Sequence, residues 1–458
     1  MSTHEPDQTS RMDALHYYFG LLDGVDASCV FLVLTEQPVQ EEVAEAYLEA
    51  TASESRRLRQ HFRSIPGNLA RPLWIDDSAF DVSRHVRPIH LGGGGTARDM
   101  FEYGSRWRNS GFTEDQSPWE VGLVDGLSDG TGAVLVRFHH SLADGAALHH
   151  EFTPIFDRSL GAAASPAGFP RDRRGIARRA VAERRSAAMQ TARALWALPA
   201  DLRKQGVRAQ VLGSLAGIAA APPAGRVDRS LVPGSSAMFT IPTSLWSARA
   251  REAGGGSNDL FLALAAAAVR TSGVLGDKPT YLTAMPISLR QAGAPVDGNE
   301  TGVAFLALDG ESSLLDDLRA VRAHAQAGKA AASGDANPIV ERALDLLPGR
   351  LQAKLILRQW AKKDILATNV VIPEFETVFG VAINAITGMP ALIGGPLGFV
   401  LVTRGDQRVM HVDVDRSLVP DDQSLFSCLD ELLVDRFGRD NVGAIMGRPP
   451  ERTVSCTP

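Results

Sequence analysis

Apolar positions recur along this chain with two different periods. From Glu41 to Phe62, residues Val43, Tyr47, Leu48 and Leu58 fall among polar neighbours at helical spacing, which predicts one amphipathic helix. Trp119 to Leu123 and Ala133 to Phe138 are short apolar runs of strand character. In the second run Val134, Val136 and Phe138 alternate with Leu135 and Arg137, so both faces of that strand are expected to be partly covered. Strands are predicted again at Met238 to Ile241, Tyr281 to Met285, Gly302 to Leu308, Phe399 to Thr403 and Arg408 to Val414. An alanine-rich apolar helix is predicted from Asn258 to Val269, and an amphipathic helix from Leu425 to Phe437 closes the pattern.

Between Gly161 and Gly234 the character changes to alanine, arginine and proline, which predicts a partly helical crossover. The chain is therefore expected to divide into an N-terminal domain (1–160), a basic helical linker (161–235) and a C-terminal domain (236–458). A length of 458 residues supports two domains of roughly 200 residues each. Strands and helices mix without strict βαβ alternation, and no internal repeat or sustained heptad is present. That argues for α/β sandwich domains rather than a doubly wound sheet.

Composition narrows the function only by exclusion. A net charge of −6 supplies no overall field for capturing nucleic acid. Cys29, Cys428 and Cys456 form no CxxC pair and no disulfide framework, which favours a reducing cytoplasm. The stretch Met1 to Thr9 is polar, with no basic or apolar segment, so no signal peptide is expected there. The longest uncharged run, Gly380 to Val402, contains five glycines, two prolines and Asn384, so strands and turns are expected there rather than a membrane-spanning helix.

The most informative stretch is Arg137-Phe-His-His-Ser-Leu-Ala-Asp-Gly145, where a strand ends in two histidines and an Asp-Gly pair follows. An imidazole at a strand end can project into a cleft, and its ordinary pKa of about 6.5 leaves it ready to accept a proton from a hydroxyl. Gly145 allows a sharp turn into the next helix. Two alternatives remain at this point. The histidines could simply be packed, with Asp144 as an N-cap. With His149 and His150 they could hold a metal, although adjacent histidines diverge and no HExxH or cysteine pairing accompanies them.

His139-His140-Ser-Leu-Ala-Asp144-Gly145 resembles the HHxxxDG signature of chloramphenicol acetyltransferase-like enzymes and peptide-synthetase condensation domains. Further segments resemble the bacterial wax ester synthase/diacylglycerol acyltransferase family. These are Met12 to Leu15, Phe80 to Val86, Pro118 to Leu127, Ser257-Asn258-Asp259, Pro286 to Arg290 and Val412 to Asp422. Ser117-Pro118-Trp119 lacks the leucine of the family's PLW, and Thr368 to Pro373 keeps only part of its SNVPGP loop. Gly298-Asn299 keeps the family's Gly-Asn pair, followed by an unusual Glu300-Thr301-Gly302.

The resemblance implies two chloramphenicol acetyltransferase-like α/β sandwich domains with an active-site tunnel between them. It implies acyl transfer from acyl-CoA to diacylglycerol or a long-chain alcohol, with no cofactor and no metal. His140, His139 and Asp144 would form the catalytic motif, with His140 as general base. Gly145 and Arg290 would be structural, Arg290 pairing with Asp144, while Asn258, Asp259, Trp119 and Asn299 would meet substrate. A carrier-protein-dependent condensing enzyme and a catalytically weak lipid-binding relative are the alternatives. Arg171 to Arg208 carries ten arginines and one lysine against three acidic residues, and Arg350 to Lys363 is a second basic stretch with Leu351, Leu355, Ile356 and Trp360. Both are expected to touch an anionic membrane or lipid-droplet surface, placing the protein at the inner face of the cell membrane.

Overall fold

A computed structural model describes residues 7–157, residue 189 and residues 234–445, with gaps at 23–24, 26, 66–67, 69–70, 114, 289–298, 300, 310–312, 315 and 324–346. Arg290 and almost all of the basic crossover lie outside the described residues.

In chain order the first half contains β1 (Asp7–Gln8), α1 (Arg11–Gly20), β2 (Ser28–Thr35), α2 (Glu41–Glu54), β3 (Gln60–Arg63), β4 (Leu73–Asp76) and β5 (Val86–Gly95). It continues with α3 (Ala97–Arg108), β6 (Trp119–Leu127), β7 (Gly132–His139) and α4 (Gly145–Phe152). The second half begins with β8 (Ser235–Pro242), α5 (Thr243–Glu252), α6 (Ser257–Ser272), β9 (Thr280–Ser288), β10 (Thr301–Asp309) and α7 (Gly349–Trp360). It ends with β11 (Ile365–Ile372), β12 (Thr377–Val378), β13 (Val381–Met389), β14 (Leu397–Arg404), β15 (Gln407–Val414), α8 (Gln423–Phe437) and β16 (Gly443–Ile445).

These strands form two large mixed sheets, ordered β12-β13-β2-β7-β6-β5 and β10-β9-β11-β14-β15-β8-β16, with a small sheet β1-β4-β3 beside them. The α/β sandwich expectation is met. The first sheet is apolar on both faces because its central strands alternate between two cores. Val134 and Val136 of β7 pack with Leu48 of α2 and Trp119, whereas Ala133 and Leu135 pack with Met100 and Phe101 of α3. One face of the second sheet is covered by α5, α6 and α8, through Trp246, Phe261, Leu264 and Leu429 against Phe399, Leu401 and Met410.

Two sequence expectations are revised. The helix from Glu41 stops at Glu54, and residues 60–63 are strand β3, pairing with β4. Helical spacing of Leu58 and Phe62 is coincidental there, since both point into the core from a 3-10 turn and a strand. Cys428 is disulfide-bonded, which the scatter of three cysteines does not anticipate. The uncharged run does form strands: β13 and β14 fall within or across it. Its one amide, Asn384, is the exposed extra residue where the β13–β2 register shifts between Ile383 and Ala385.

β13 belongs to the second half of the chain but pairs antiparallel with β2 of the first, from Ile383↔Thr35 to Met389↔Val30. Nearby, the buried Arg108 at the end of α3 donates to the carboxylate of Asp413 on β15 and to the Pro390 carbonyl at 2.9 Å. Ser236 Oγ donates to the other oxygen of Asp413 at 2.9 Å. The ion pair is thus completed by neutral partners, as a buried pair must be.

His411, two residues earlier on β15, is fully buried edge-on to Phe101, and neither ring nitrogen makes a hydrogen bond. Burial pushes its pKa down to about 4, against a smaller opposing pull from Asp413. His85 is likewise held at about 4 by burial. Unfolded, such rings take up a proton near pH 6.5. Folded, they stay neutral until the pH approaches 4. In that window the unfolded state binds more protons, so stability falls as the pH drops below 6.5, by up to about 1.4 kcal/mol per pH unit for each ring. The melting temperature should therefore decline between pH 7 and pH 5. His411→Leu should flatten part of that decline and raise the melting temperature at pH 7, because it removes an unpartnered buried N–H. Parallel curves for the two proteins in calorimetry would contradict this account of His411.

Candidate active site

Neighbouring strands hold the two histidines on from opposite sides. The His139 N–H donates to the Pro118 carbonyl at 2.9 Å, on the β6 side, and the His140 N–H to Ala27 at 2.7 Å, on the β2 side. Strand β7 ends at His139 and His140 begins the turn that follows, so the two rings find different partners.

The His139 ring turns to Ser141, whose Oγ lies 2.6 Å from Nδ1 and whose backbone N–H donates to the same nitrogen at 3.3 Å. Nδ1 is therefore an acceptor. A Cβ on Gly20 would come 2.8 Å from the His139 Nε2, so the end of α1 approaches this ring as closely as glycine permits. Burial, then the neighbouring His140, then Arg137 depress the His139 pKa to about 3. It is a neutral ring fixing the turn, poorly suited to take up a proton.

The His140 ring also lies against α1, one turn earlier. It stacks on His16 of α1, with ring centroids 4.2 Å apart and planes within 9°. Its Nδ1 lies 3.0 Å from the Asn299 side-chain oxygen. His16 Nδ1 lies 3.0 Å from the Met12 carbonyl, which fixes that nitrogen as the protonated one. Burial, followed by His140 and His139, holds the His16 pKa well below its ordinary value. The stack therefore presents His140 with a neutral aromatic face.

Asp144 caps α4, its Oδ1 accepting the Ala147 N–H at 2.9 Å, while Oδ2 accepts from the Thr301 hydroxyl at 3.3 Å. Gly145 is the first helical residue after this cap. The proposed partner of Asp144, Arg290, falls outside the described residues. Asn299 and Thr301 reach the motif from the start of β10, so the site draws on both halves of the chain.

The structure distributes the expected substrate contacts differently. Trp119 has no exposed surface: its indole N–H donates to the Leu58 carbonyl at 2.7 Å and its ring stacks on His85 at 4.1 Å. That is a packing position beneath the motif. Asp259 reaches back to the Gly256 N–H at 2.8 Å and so caps α6. Asn258 is part-exposed and accepts from Asn369 of β11 at 3.4 Å. Asn299 is buried and bonded to protein on every side that is described: His140, and the Asp13 carboxylate. Asp13 and His16 carry no role in the sequence reading. Ser10 and Asp13 form a capping box at the start of α1, which accounts for the aspartate in the sequence and hides its second task. Among the described residues no group of three or more His, Cys, Asp and Glu is arranged to hold a metal. No helix there is long and apolar enough to cross a membrane.

Two sheet-bearing α/β halves, with paired histidines closing a central strand of the first, make a two-domain fold shared with solved proteins. The solved wax ester synthase/diacylglycerol acyltransferase of Marinobacter aquaeolei superposes with a TM-score of 0.60 over 94% of this chain and 100% of that one, at 18% identity. The first condensation domain of the calcium-dependent antibiotic synthetase gives 0.57 over 96% and 98%, at 16% identity. At these identities the likeness concerns fold alone. The family model described as the wax ester synthase/diacylglycerol acyltransferase catalytic domain matches residues 12–251, and the model of the family's C-terminal domain matches residues 297–435. The chain belongs to the wax ester synthase/diacylglycerol acyltransferase family.

Among its relatives, a Mycobacterium tuberculosis protein named as a diacylglycerol O-acyltransferase is 28% identical over 428 residues, covering 88% of this chain and 84% of its own. A second protein so named from that organism is 33% identical over 132 residues, a local match spanning 28% of each chain.

The different partners of the two rings lead to a paired expectation. His140→Ala should fold normally and lose turnover by about 10²–10⁴-fold, the usual worth of a general base. His139→Ala should keep more activity but melt earlier, because it opens a cavity under the turn. Steady-state kinetics with thermal melts of both variants checks this, and equal loss in both would contradict the division of labour.

Proposed function

We propose that this protein transfers a long-chain acyl group from acyl-CoA to the hydroxyl of diacylglycerol or a long-chain alcohol, using His140 Nε2 as the base. The observation that carries the reading is an imidazole just past a strand end whose Nδ1 is already engaged by Asn299, within a chain of this family. The hydroxyl oxygen attacks the thioester carbonyl while its proton passes to Nε2. The tetrahedral intermediate collapses and expels the coenzyme A thiolate, which recovers the proton from the imidazolium. Ester and free thiol result, and the histidine returns to its starting state. Thiolate is a good leaving group, so neither metal nor cofactor is required by the chemistry. Much of the rate would come from holding both substrates together.

Transfer is direct in this reading. Ser141 is the hydroxyl nearest the motif, but it is fully buried, and the ring beside it is His139, whose pKa of about 3 makes it a weak base. Kinetics should therefore show a ternary complex, and intact mass spectrometry during turnover should show no acyl adduct. Radiolabelled palmitoyl-CoA offered with diacylglycerol or with hexadecanol, products separated by polarity, identifies the acceptor. Likeness to condensation domains supports one competing reading, a carrier-protein thioester as donor. Failure of free palmitoyl-CoA with either acceptor would favour it.

Acceptors of this kind reside in membranes, and α7 offers a surface suited to them. Its inner side, Ala353 and Leu357, packs with Ala14, Leu15 and Phe19 of α1. Arg350, Leu351 and Lys354 are exposed on its outer side. The basic stretch is narrower than the sequence suggests: Lys363 is buried and donates to the Ile393 carbonyl at 2.8 Å, and Trp360 packs against Phe19. In this reading α7 rests on an anionic bilayer, each basic residue adding about 1 kcal/mol near the surface. Liposome flotation should show binding that needs anionic lipid, weakens with salt, and falls in an Arg350→Gln/Leu351→Gln/Lys354→Gln variant. Undiminished binding by that variant would remove α7 from the account.

A further inference from the structure

We infer that Asp13 and Asn299 together hold His140 in the tautomer protonated on Nδ1, so that the basic lone pair stands on Nε2. This rests on His140 being the base. The argument begins with an inventory of donors and acceptors. The Asn299 amide nitrogen carries two N–H groups. One meets the Asp13 Oδ1 at 2.7 Å and the other the backbone carbonyl of His140 at 2.8 Å. A carboxylate and a carbonyl can only accept. Turning the amide over would set its oxygen against both of them and forfeit two hydrogen bonds, one to a charged group. The amide orientation is thereby fixed, and its oxygen is the atom facing His140 Nδ1 at 3.0 Å. That oxygen can only accept, so Nδ1 must carry the hydrogen.

Asp13 in turn has no freedom. Its Oδ1 also receives the Asn299 backbone N–H at 3.0 Å, and its Oδ2 receives the Ser10 N–H at 3.1 Å. Ser10 Oγ accepts the Asp13 N–H at 3.0 Å, closing the capping box of α1. The aspartate is buried, 2% exposed, which keeps water from substituting for these partners. One carboxylate thus serves two purposes, starting α1 and orienting an amide 286 residues away. His140 itself is held on the remaining side by the His16 stack, whose own Nδ1 is occupied by Met12 and does not compete.

Asp13→Asn tests this. The substituted amide retains size and can still cap α1, but it brings N–H groups of its own. Asn299 can then turn over, offer its NH₂ to Nδ1 and drive the proton to Nε2. The expected result is a fall in kcat of roughly 10²-fold, with KM for palmitoyl-CoA little changed and the melting temperature close to that of the parent. The direct readout is ¹⁵N NMR of histidine-labelled protein, with His140→Ala used to assign the His140 signals. The parent should show a protonated Nδ1 and a bare Nε2, and Asp13→Asn a mixture or the reverse. Asn299→Leu, which removes the acceptor, should also lose the preference and serves if Asp13→Asn fails to fold. A parent protein with the proton on Nε2, or a folded Asp13→Asn whose His140 keeps its tautomer, overturns the inference. Full turnover by His140→Ala would instead overturn the base assignment while leaving the tautomer measurement intact.

Discussion

Hydrogen bonds between β13 and β2 carry a strand of the second half into the sheet of the first, and the Arg108–Asp413 pair ties the same two sheets together near the end of β13. The site depends on this arrangement, because His140 and Asp144 come from one half and Asn299 and Thr301 from the other. An error of one residue in the β13 register would turn its apolar side chains to the wrong face. The ion pair makes sliding expensive in a different way. Separating two buried charges costs about 3–5 kcal/mol when one is left unpaired. Ladder and ion pair together allow one relative placement of the halves and leave few cheap alternatives.

Charge is kept out of the motif except where it is used. His16, His85, His139 and His411 are all pushed toward the neutral form, and in each case burial is the largest cause. Neutral rings can pack like other aromatic side chains, which is why His85 stacks on Trp119 and His16 on His140. Of the two carboxylates at the motif, each is committed to backbone N–H groups at a helix start, Asp13 on α1 and Asp144 on α4. Helix N-termini favour negative charge there.

Much of this architecture was legible in the sequence because it is local. The period-two run at Ala133 to Phe138 foretold a strand covered on both faces, and the glycines and prolines of 380–402 ruled out a continuous helix. The histidine pair announced itself through residue types at a fixed spacing. What escaped notice was set by contacts between distant parts of the chain. Asn299 looked like a residue for substrate because nothing nearby in sequence shows that Asp13 binds it. Trp119 was expected to meet substrate through the family resemblance, and only the Leu58 carbonyl and His85 show that it sits in the core. Asp13 had a complete local explanation as a cap, and a sufficient local explanation conceals a long-range one. The exchange of β13 left no local trace, since an edge strand and an exchanged strand have the same pattern.

The β13 exchange also constrains how the chain is made. β7 is complete at His139, but the strand that covers the free edge of β2 begins only at Val381, roughly 240 residues later. At about 5–20 residues per second the ribosome needs roughly 12–50 seconds to supply it. Throughout that interval β2 presents an apolar, unpaired edge of the kind that recruits other strands. A nascent chain of this protein is therefore a natural client for factors that shield exposed edges. A product truncated before Met389 would be a source of aggregates rather than a working half.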